Sequence, residues 1–182
     1  MFSLSSVKTN STLAKSTPLF RITTAALLTA IAVVGASTVV IPFDVAKCAP
    51  VQHMVNVCAG VLLGPVWGTV MAFVASLIRV LLGTGTIMAF PGSMVGALLA
   101  GLLFHLTKKT WAAAIGEVVG TGILGAMAGS FLSRLVLGTE AGILLYVPSF
   151  LISSAAGAAI ALILLPPVRR VIGRLSHDSS NA

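Results

Sequence analysis

Residues 48–78 read CAPVQHMVNVCAGVLLGPVWGTVMAFVASLI and contain no Asp, Glu, Lys or Arg. A helix crossing a bilayer needs about 20 mainly apolar residues, so this run is too long for one span. Leu63-Gly64-Pro65 sits in its middle. Gly admits left-handed backbone and Pro deletes a helical N–H, so the pair marks a break. Two short helices are predicted here, 50–63 and 66–82. Whether the run makes two spans or one kinked span decides the topology of the whole chain.

Working outward, Ile22 to Phe43, Val80 to Thr107 and Ala141 to Val168 are equally free of charge, and Thr110 to Ser133 has only Glu117. Gly83-Thr84-Gly85 and Pro91-Gly92 break the second of these runs. The chain therefore reads as an all-α, polytopic membrane protein of six helices, about 19–41, 50–63, 66–82, 92–107, 111–136 and 142–165. Residues 1–18 are a polar tail, 19–168 the membrane domain and 169–182 a basic and polar tail.

Composition supports this reading. Of 182 residues, 57% are hydrophobic and 8% charged, with a mean hydropathy of +1.08; soluble domains carry about 25% charged residues. So few charges cannot coat a globular surface, which excludes a soluble enzyme, a disordered regulator and a nucleic-acid-binding module. The net charge of +7 comes from basic residues at the ends of apolar segments, not along one polar face. Lys and Arg accumulate on the cytoplasmic side of membrane proteins. With six spans and both termini inside, Lys8, Lys15, Arg21, Lys108, Lys109, Arg169, Arg170 and Arg174 are inside, and only Lys47, Arg79 and Arg134 fall outside. A five-span chain divides them almost evenly. Six spans fit.

The basic start and apolar core also match a signal peptide with a cleavage site at Gly35-Ala36-Ser37. The apolar run continues through Val40 and Ile41, as a retained span does. Asn10-Ser11-Thr12 matches a glycosylation pattern that means nothing on a cytoplasmic tail. Cys48 and Cys58, ten residues apart on or near one helix, are separated by about 15 Å, beyond the ~7 Å reach of a disulfide. Two free thiols are expected.

Small residues recur at four-residue spacing: Ala26/Ala30, Gly60/Gly64/Gly68, Gly92/Gly96/Ala100, Gly116/Gly120, Gly125/Gly129 and Gly157/Ala161. In lipid, close backbone approach through such faces packs helices together. The first helix has more alanine than one neighbour requires, so Ala26 and Ala30 are candidates for docking another membrane protein.

Polar side chains inside spans are costly and mark sites. The densest group is Asp44, Lys47, Cys48, Gln52, His53 and Asn56. On a helix starting near Pro50, Gln52, His53 and Asn56 share a face, and their amides and imidazole suit a small uncharged heterocycle. A second group is Arg79, Thr84, Thr86, Phe90 and Ser93, around a Gly83–Gly92 loop on the same side of the membrane. Arg79 has three readings: substrate contact, snorkelling to the interface, or an ion pair with Asp44. Tyr146 and Ser149 complete the wall, although Tyr146 alone reads as an interfacial aromatic anchor. Glu117 and His105 lie at similar depth and are expected to pair structurally; a proton relay is the alternative. No P-loop, zinc motif, GxSxG motif or complete dinucleotide fingerprint occurs. No cofactor, metal or catalytic residue is expected, and the chain has no energy source of its own.

Residues 46–57 (AKCAPVQHMVNV), Val61-Leu62-Leu63-Gly64-Pro65, Leu82-Gly83-Thr84-Gly85 and Ala89-Phe90-Pro91-Gly92-Ser93-Met94 resemble the signatures of the ThiW type. These are S components of energy-coupling factor (ECF) transporters, assigned to the hydroxyethylthiazole precursor of thiamine. The resemblance covers about residues 20–165. It implies a prokaryotic plasma-membrane subunit with an outward-opening pocket, working with a transmembrane coupling protein and two ABC-type ATPases. It also implies that the coupling protein docks on the first-helix alanine motif, matched by Ala26-Leu27-Leu28-Thr29-Ala30, and that the subunit topples to release substrate inside. In the expected complex the thiazole nitrogen accepts from His53, Asn56 or Gln52, and Phe43 or Phe90 stacks on the ring. Thiamine or its pyrimidine moiety is the alternative ligand. A proton-coupled carrier or an intramembrane enzyme using Glu117 and His105 is the alternative of another class.

Overall fold

The computed structural model describes residues 18–43, 46–138 and 142–178, with side chains at 41–47 and 173–178 outside the description. In chain order it has α1 (Pro18–Thr38), a hairpin of β1 (Ile41–Phe43) and β2 (Ala46–Cys48), α2 (Pro50–Leu63), α3 (Pro65–Leu81) and α4 (Ala89–Thr107). Then follow α5 (Thr110–Val119), a π-helical segment (Gly120–Gly125), α6 (Ala126–Leu137) and α7 (Val147–Asp178). Helix α5, the π segment and α6 form one rod of 28 residues. Among the described residues, four helical rods are long and apolar enough to cross a membrane: α1, α4, the 110–137 rod and α7. The shorter apolar helices α2 and α3 pack between them. This is a polytopic helical membrane protein.

The break at Gly64-Pro65 is real. Gly64 sits at φ 85°, in left-handed backbone, and Pro65 opens α3, where a missing N–H costs no helical hydrogen bond. With 14 and 17 residues, α2 and α3 reach about 21 and 25 Å, less than a bilayer core of about 30 Å. The centre of the bundle accommodates them: α2 has ten buried residues, and α4 packs against α2, α3 and α5. There the small residues mesh. A Cβ on Gly60 would stand 2.7 Å from the Gly101 nitrogen, and one on Gly116 would stand 2.6 Å from the Leu99 oxygen. Large apolar side chains face outward instead, among them Leu27, Val34, Leu106, Phe131 and Ile163.

Several expectations need correction. The first helix ends at Thr38 and not at 41, because a three-residue antiparallel hairpin that pairs Ile41 with Cys48 follows it in the otherwise all-α chain. The loop after α3 is shorter than Gly83–Gly92, because α4 begins at Ala89. Pro91 and Gly92 fall in its first turn, where proline's missing N–H is harmless. The last helix starts at Val147, not 142, and runs through Pro166 and Pro167 to Asp178. Leu165, fully buried just before the prolines, and Ile172, packed on the core beyond them, hold both sides of the interruption to the bundle. The single helix expected over 111–136 contains a π segment at Gly120–Gly125. Its glycines lie where backbones nearly touch: a Cβ on Gly125 would stand 2.4 Å from Gly92 Cα.

Cys48 and Cys58 are free thiols, and Cys48 Sγ donates to the Ser149 carbonyl at 3.6 Å. The β-hairpin, the end of α3 with Arg79, the end of α6 with Arg134 and the start of α7 lie at one end of the bundle. Lys108, Lys109 and Arg169 gather at the other, where Arg169 lies over the Phe104 ring and meets Thr110.

Candidate functional site

The polar residues of α2 point inward and meet partners from three other helices. Gln52 and Asn56 are one turn apart and almost completely buried. In the layer nearer the hairpin, Gln52 Nε2 donates to Ser93 Oγ on α4 and, at 3.4 Å, to Ser76 Oγ on α3. Asn56 Nδ2 links this layer to the next: it reaches the Ser93 carbonyl and hydroxyl at 3.4 Å and Glu117 Oε1 at 3.1 Å.

The deeper layer is built on Glu117 of α5, which is fully buried. Its Oε1 receives Asn56 Nδ2, the Thr121 hydroxyl at 2.8 Å and lies 2.9 Å from His53 Nδ1. His53 is therefore the partner of Glu117, not His105, which is exposed near the far end of α4. Helix α2 packs against α5 and brings His53 to Glu117, while His105 lies on the exposed face of α4. Thr121 belongs to the π segment and also lies 2.9 Å from the Gly92 carbonyl. Gly96 makes room for the carboxylate, since a Cβ there would stand 2.5 Å from Glu117 Oε2 and 2.0 Å from Thr121 Oγ1. That second carboxylate oxygen has no hydrogen-bond partner among the described residues. A buried acid held by three donors is stable in an apolar bundle only because they replace its hydration.

Arg79 forms a third layer, one turn along α3 from Ser76. It is 7% exposed, which excludes snorkelling to the interface. The loop folds back on it: Nη2 donates to the Thr84 carbonyl at 3.3 Å, and the Arg79 carbonyl accepts from the Thr84 hydroxyl and the Thr84 and Gly85 amides. Thr84 and Thr86 are exposed. Phe90 packs on Phe73 with ring centroids 5.5 Å apart, and Phe73 is on the outer surface of α3.

On the opposite wall Tyr146 is 9% exposed, not an interfacial anchor, and packs against Phe150 with centroids 6.3 Å apart. A Cβ on Gly92 would lie 3.2 Å from the Phe150 ring, and Thr121 flanks the same glycine. Ser149 is buried, and Ser153 Oγ accepts from the Ala49 amide at 2.9 Å, fixing the entry to α2. The side chains of Phe43, Asp44, Lys47 and Glu140 lie outside the described residues.

The structure thus joins Gln52, His53, Asn56 and Ser93 in one network, with Arg79 adjoining it. Thr84, Thr86 and Phe90 sit at its margin. Sequence reasoning left Ser76, Thr121, Phe150 and Ser153 out of the site and assigned Glu117 to a different partner. A signal existed for one of them: Glu117 and Thr121 are four residues apart, so they share a helix face.

A second feature lies on the flank. Ala26, Thr29 and Ala30 of α1, with Trp67, Val70 and Val74 of α3, line an apolar groove of about 570 Å³. Ala26 and Ala30 are exposed in it.

A bundle of lipid-facing helices enclosing a hydrogen-bonded polar column defines an integral membrane protein whose costly groups are held inside, as small-molecule transporters hold them. The particular family follows from comparison. Residues 22–171 match the family model described as thiamine-precursor transporter protein (ThiW), and the chain belongs to that family. Neither the curated proteins nor the solved structures compared with it include a match.

Proposed function

We propose that the chain is the substrate-binding S component of an ECF-type importer for hydroxyethylthiazole. In this reading it works in a prokaryotic plasma membrane with a transmembrane coupling protein and two ABC-type ATPases. Residues 19–168 are the membrane domain, and the tails at 1–18 and 169–182 are cytoplasmic. The hairpin end faces outward and the end bearing Lys108, Lys109 and Arg169 faces inward, in keeping with the positive-inside rule.

The observation that carries the proposal is the layered network of Gln52, Asn56, Ser93, His53 and Glu117 beneath the hairpin end. Amide and imidazole groups fixed by buried partners are preorganised for a small heterocycle. Of the eleven residues proposed to bind substrate, Gln52, His53, Asn56, Ser93 and Arg79 form its polar wall. Thr84, Thr86 and Phe90 form the loop side, Tyr146 and Ser149 the α7 side, and Lys47 the hairpin side. The Tyr146–Phe150 pair is better placed to stack on a ring than Phe90, which is engaged with Phe73. Ala26 and Ala30, exposed in the groove, are the proposed docking site for the coupling protein.

Calorimetry with hydroxyethylthiazole on the purified protein tests the reading. Heat of binding is expected for the wild type and none for a His53→Ala, Asn56→Ala double variant; equal binding by both refutes the site. Uptake is expected to require ATP and the co-expressed partners.

One observation favours a second reading. The His53–Glu117 pair is a titratable couple inside the bundle, the kind of pair that relays protons in carriers. A self-sufficient carrier would accumulate substrate in vesicles holding this protein alone, driven by a pH gradient, and lose that activity in Glu117→Gln.

A further inference from the structure

The two ionisable groups at the core of the polar column, Glu117 and Arg79, each keep one buried atom without a hydrogen-bond partner among the described residues, but they differ in the number of contacts on the rest of the group. Glu117 Oε1 accepts from Asn56 Nδ2 and the Thr121 hydroxyl and lies 2.9 Å from His53 Nδ1, while its Oε2 stands against Gly96 with no hydrogen-bond partner among the described residues. Arg79, more than nine-tenths buried, has one acceptor for its guanidinium, the Thr84 carbonyl, and its Nε has none among the described residues. The ion pair among the described residues is His53–Glu117, so Arg79 has no carboxylate partner there. From Ser76 to Arg79 is about 4.5 Å along the helix, and from Gln52 to Asn56 about 6 Å. Arg79 and Glu117 are thus separated by the whole Gln52–Ser76–Ser93 layer and do not neutralise each other directly. A buried guanidinium without a counter-charge costs several kcal/mol, and its planar fork is shaped for carboxylate or phosphate oxygens.

We propose that Arg79 is the charge filter of the binding site, donating to an acceptor substituent on the ligand. This rests on the thiazole-binding reading and deepens it by naming the ligand's charge class. A neutral hydroxyethyl group is accepted through its oxygen. An anionic group at that position binds more tightly, and a ligand with a fixed positive charge is rejected. Among the described residues the carboxylate of the column takes His53, Asn56 and Thr121 on its Oε1, and the charged group adjoining the Gln52 layer is the Arg79 guanidinium.

The experiment measures dissociation constants by calorimetry for three probes: hydroxyethylthiazole, its phosphate monoester and thiamine, which carries a quaternary nitrogen. The wild type needs no substitution to be informative. The monoester is expected to bind about tenfold or more tighter than the alcohol, and thiamine about tenfold or more weaker. In Arg79→Gln the three affinities are expected to converge to within about threefold, and Arg79→Lys falls between, because it keeps the charge and loses the fork. Thiamine binding as tightly as the alcohol overturns the proposal, as does an order that survives in Arg79→Gln. Alcohol binding without any charge order removes this inference and leaves the transport reading standing. If none of the three binds the wild type, both fall together.

Discussion

Helices α1 and α2 are both apolar and adjacent, yet they are used in opposite ways. Helix α1 has 21 residues, of which Leu28, Ala32 and Ala36 are buried; α2 has 14, of which ten are buried. The smaller helix is the one enclosed. In α1 the large side chains, Leu27, Ile31 and Val34, point outward, and the outward-facing alanines border a groove. In α2 the polar side chains point inward, where neighbours satisfy them. In water the hydrophobic effect selects what is buried. In lipid that drive between helices is missing, and position follows from polar satisfaction and close packing. Helix α2 is central because Gln52, His53 and Asn56 have nowhere else to go. Helix α1 is peripheral because lipid solvates it as well as protein does.

The largest expected effect falls where packing and polar satisfaction coincide. Gly96→Val would place carbon where Glu117 Oε2 and Thr121 Oγ1 now lie, separating α4 from α5 and uncoupling the carboxylate from its donors. We expect no folded protein, read as loss of a monodisperse peak in size-exclusion chromatography. A stable Gly96→Val protein would break the contrast, because it would mean the centre tolerates what only the periphery should. Next comes Glu117→Ala. Three donors lose their acceptor, and removing one partner from a buried charged network costs about 3–5 kcal/mol. Thermal unfolding in detergent should show the drop, with Glu117→Gln losing less because its amide oxygen still accepts. Equal losses for the two would assign the effect to packing alone. Asn56→Ala is smaller again. It removes the donor that ties Ser93 to Glu117, at about 1–3 kcal/mol, and weakens thiazole affinity about tenfold.

Much of this was legible in the sequence, for reasons that differ by residue. Charge-free runs locate helices because a bilayer forbids unpaired charge along a whole span, and Gly64-Pro65 divides its run because its backbone chemistry is local. The shared face of Gln52, His53 and Asn56 follows from helical spacing. The partner of Glu117 was hidden. His105 and His53 are both separated from it in the chain, and helix crossing, which spacing does not encode, chose His53. The π segment at Gly120–Gly125 was also hidden, because it arises where Gly92 and Gly96 of another helix press against it. Tyr146 has the sequence context of an interfacial anchor, but Phe150 and the fold of α7 bury it.

The smallest effect on binding is expected on α1, and it sharpens the contrast most. Ala30→Leu adds an apolar side chain to an exposed position in the groove that also carries Ala26, Thr29, Trp67 and Val70. No buried partner is disturbed, so stability should change by less than about 0.5 kcal/mol, and thiazole affinity should stay within about twofold. If the groove seats the coupling protein, the new side chain occupies space the partner needs, and ATP-dependent uptake is lost while binding persists. Ala36→Leu is the control on the same helix: Ala36 is fully buried, so that change overpacks the interior and lowers stability by about 1–3 kcal/mol. Two substitutions of identical chemistry, six residues apart on one helix, should separate docking from folding. Uptake that survives Ala30→Leu would mean that the exposed alanines face lipid and nothing else.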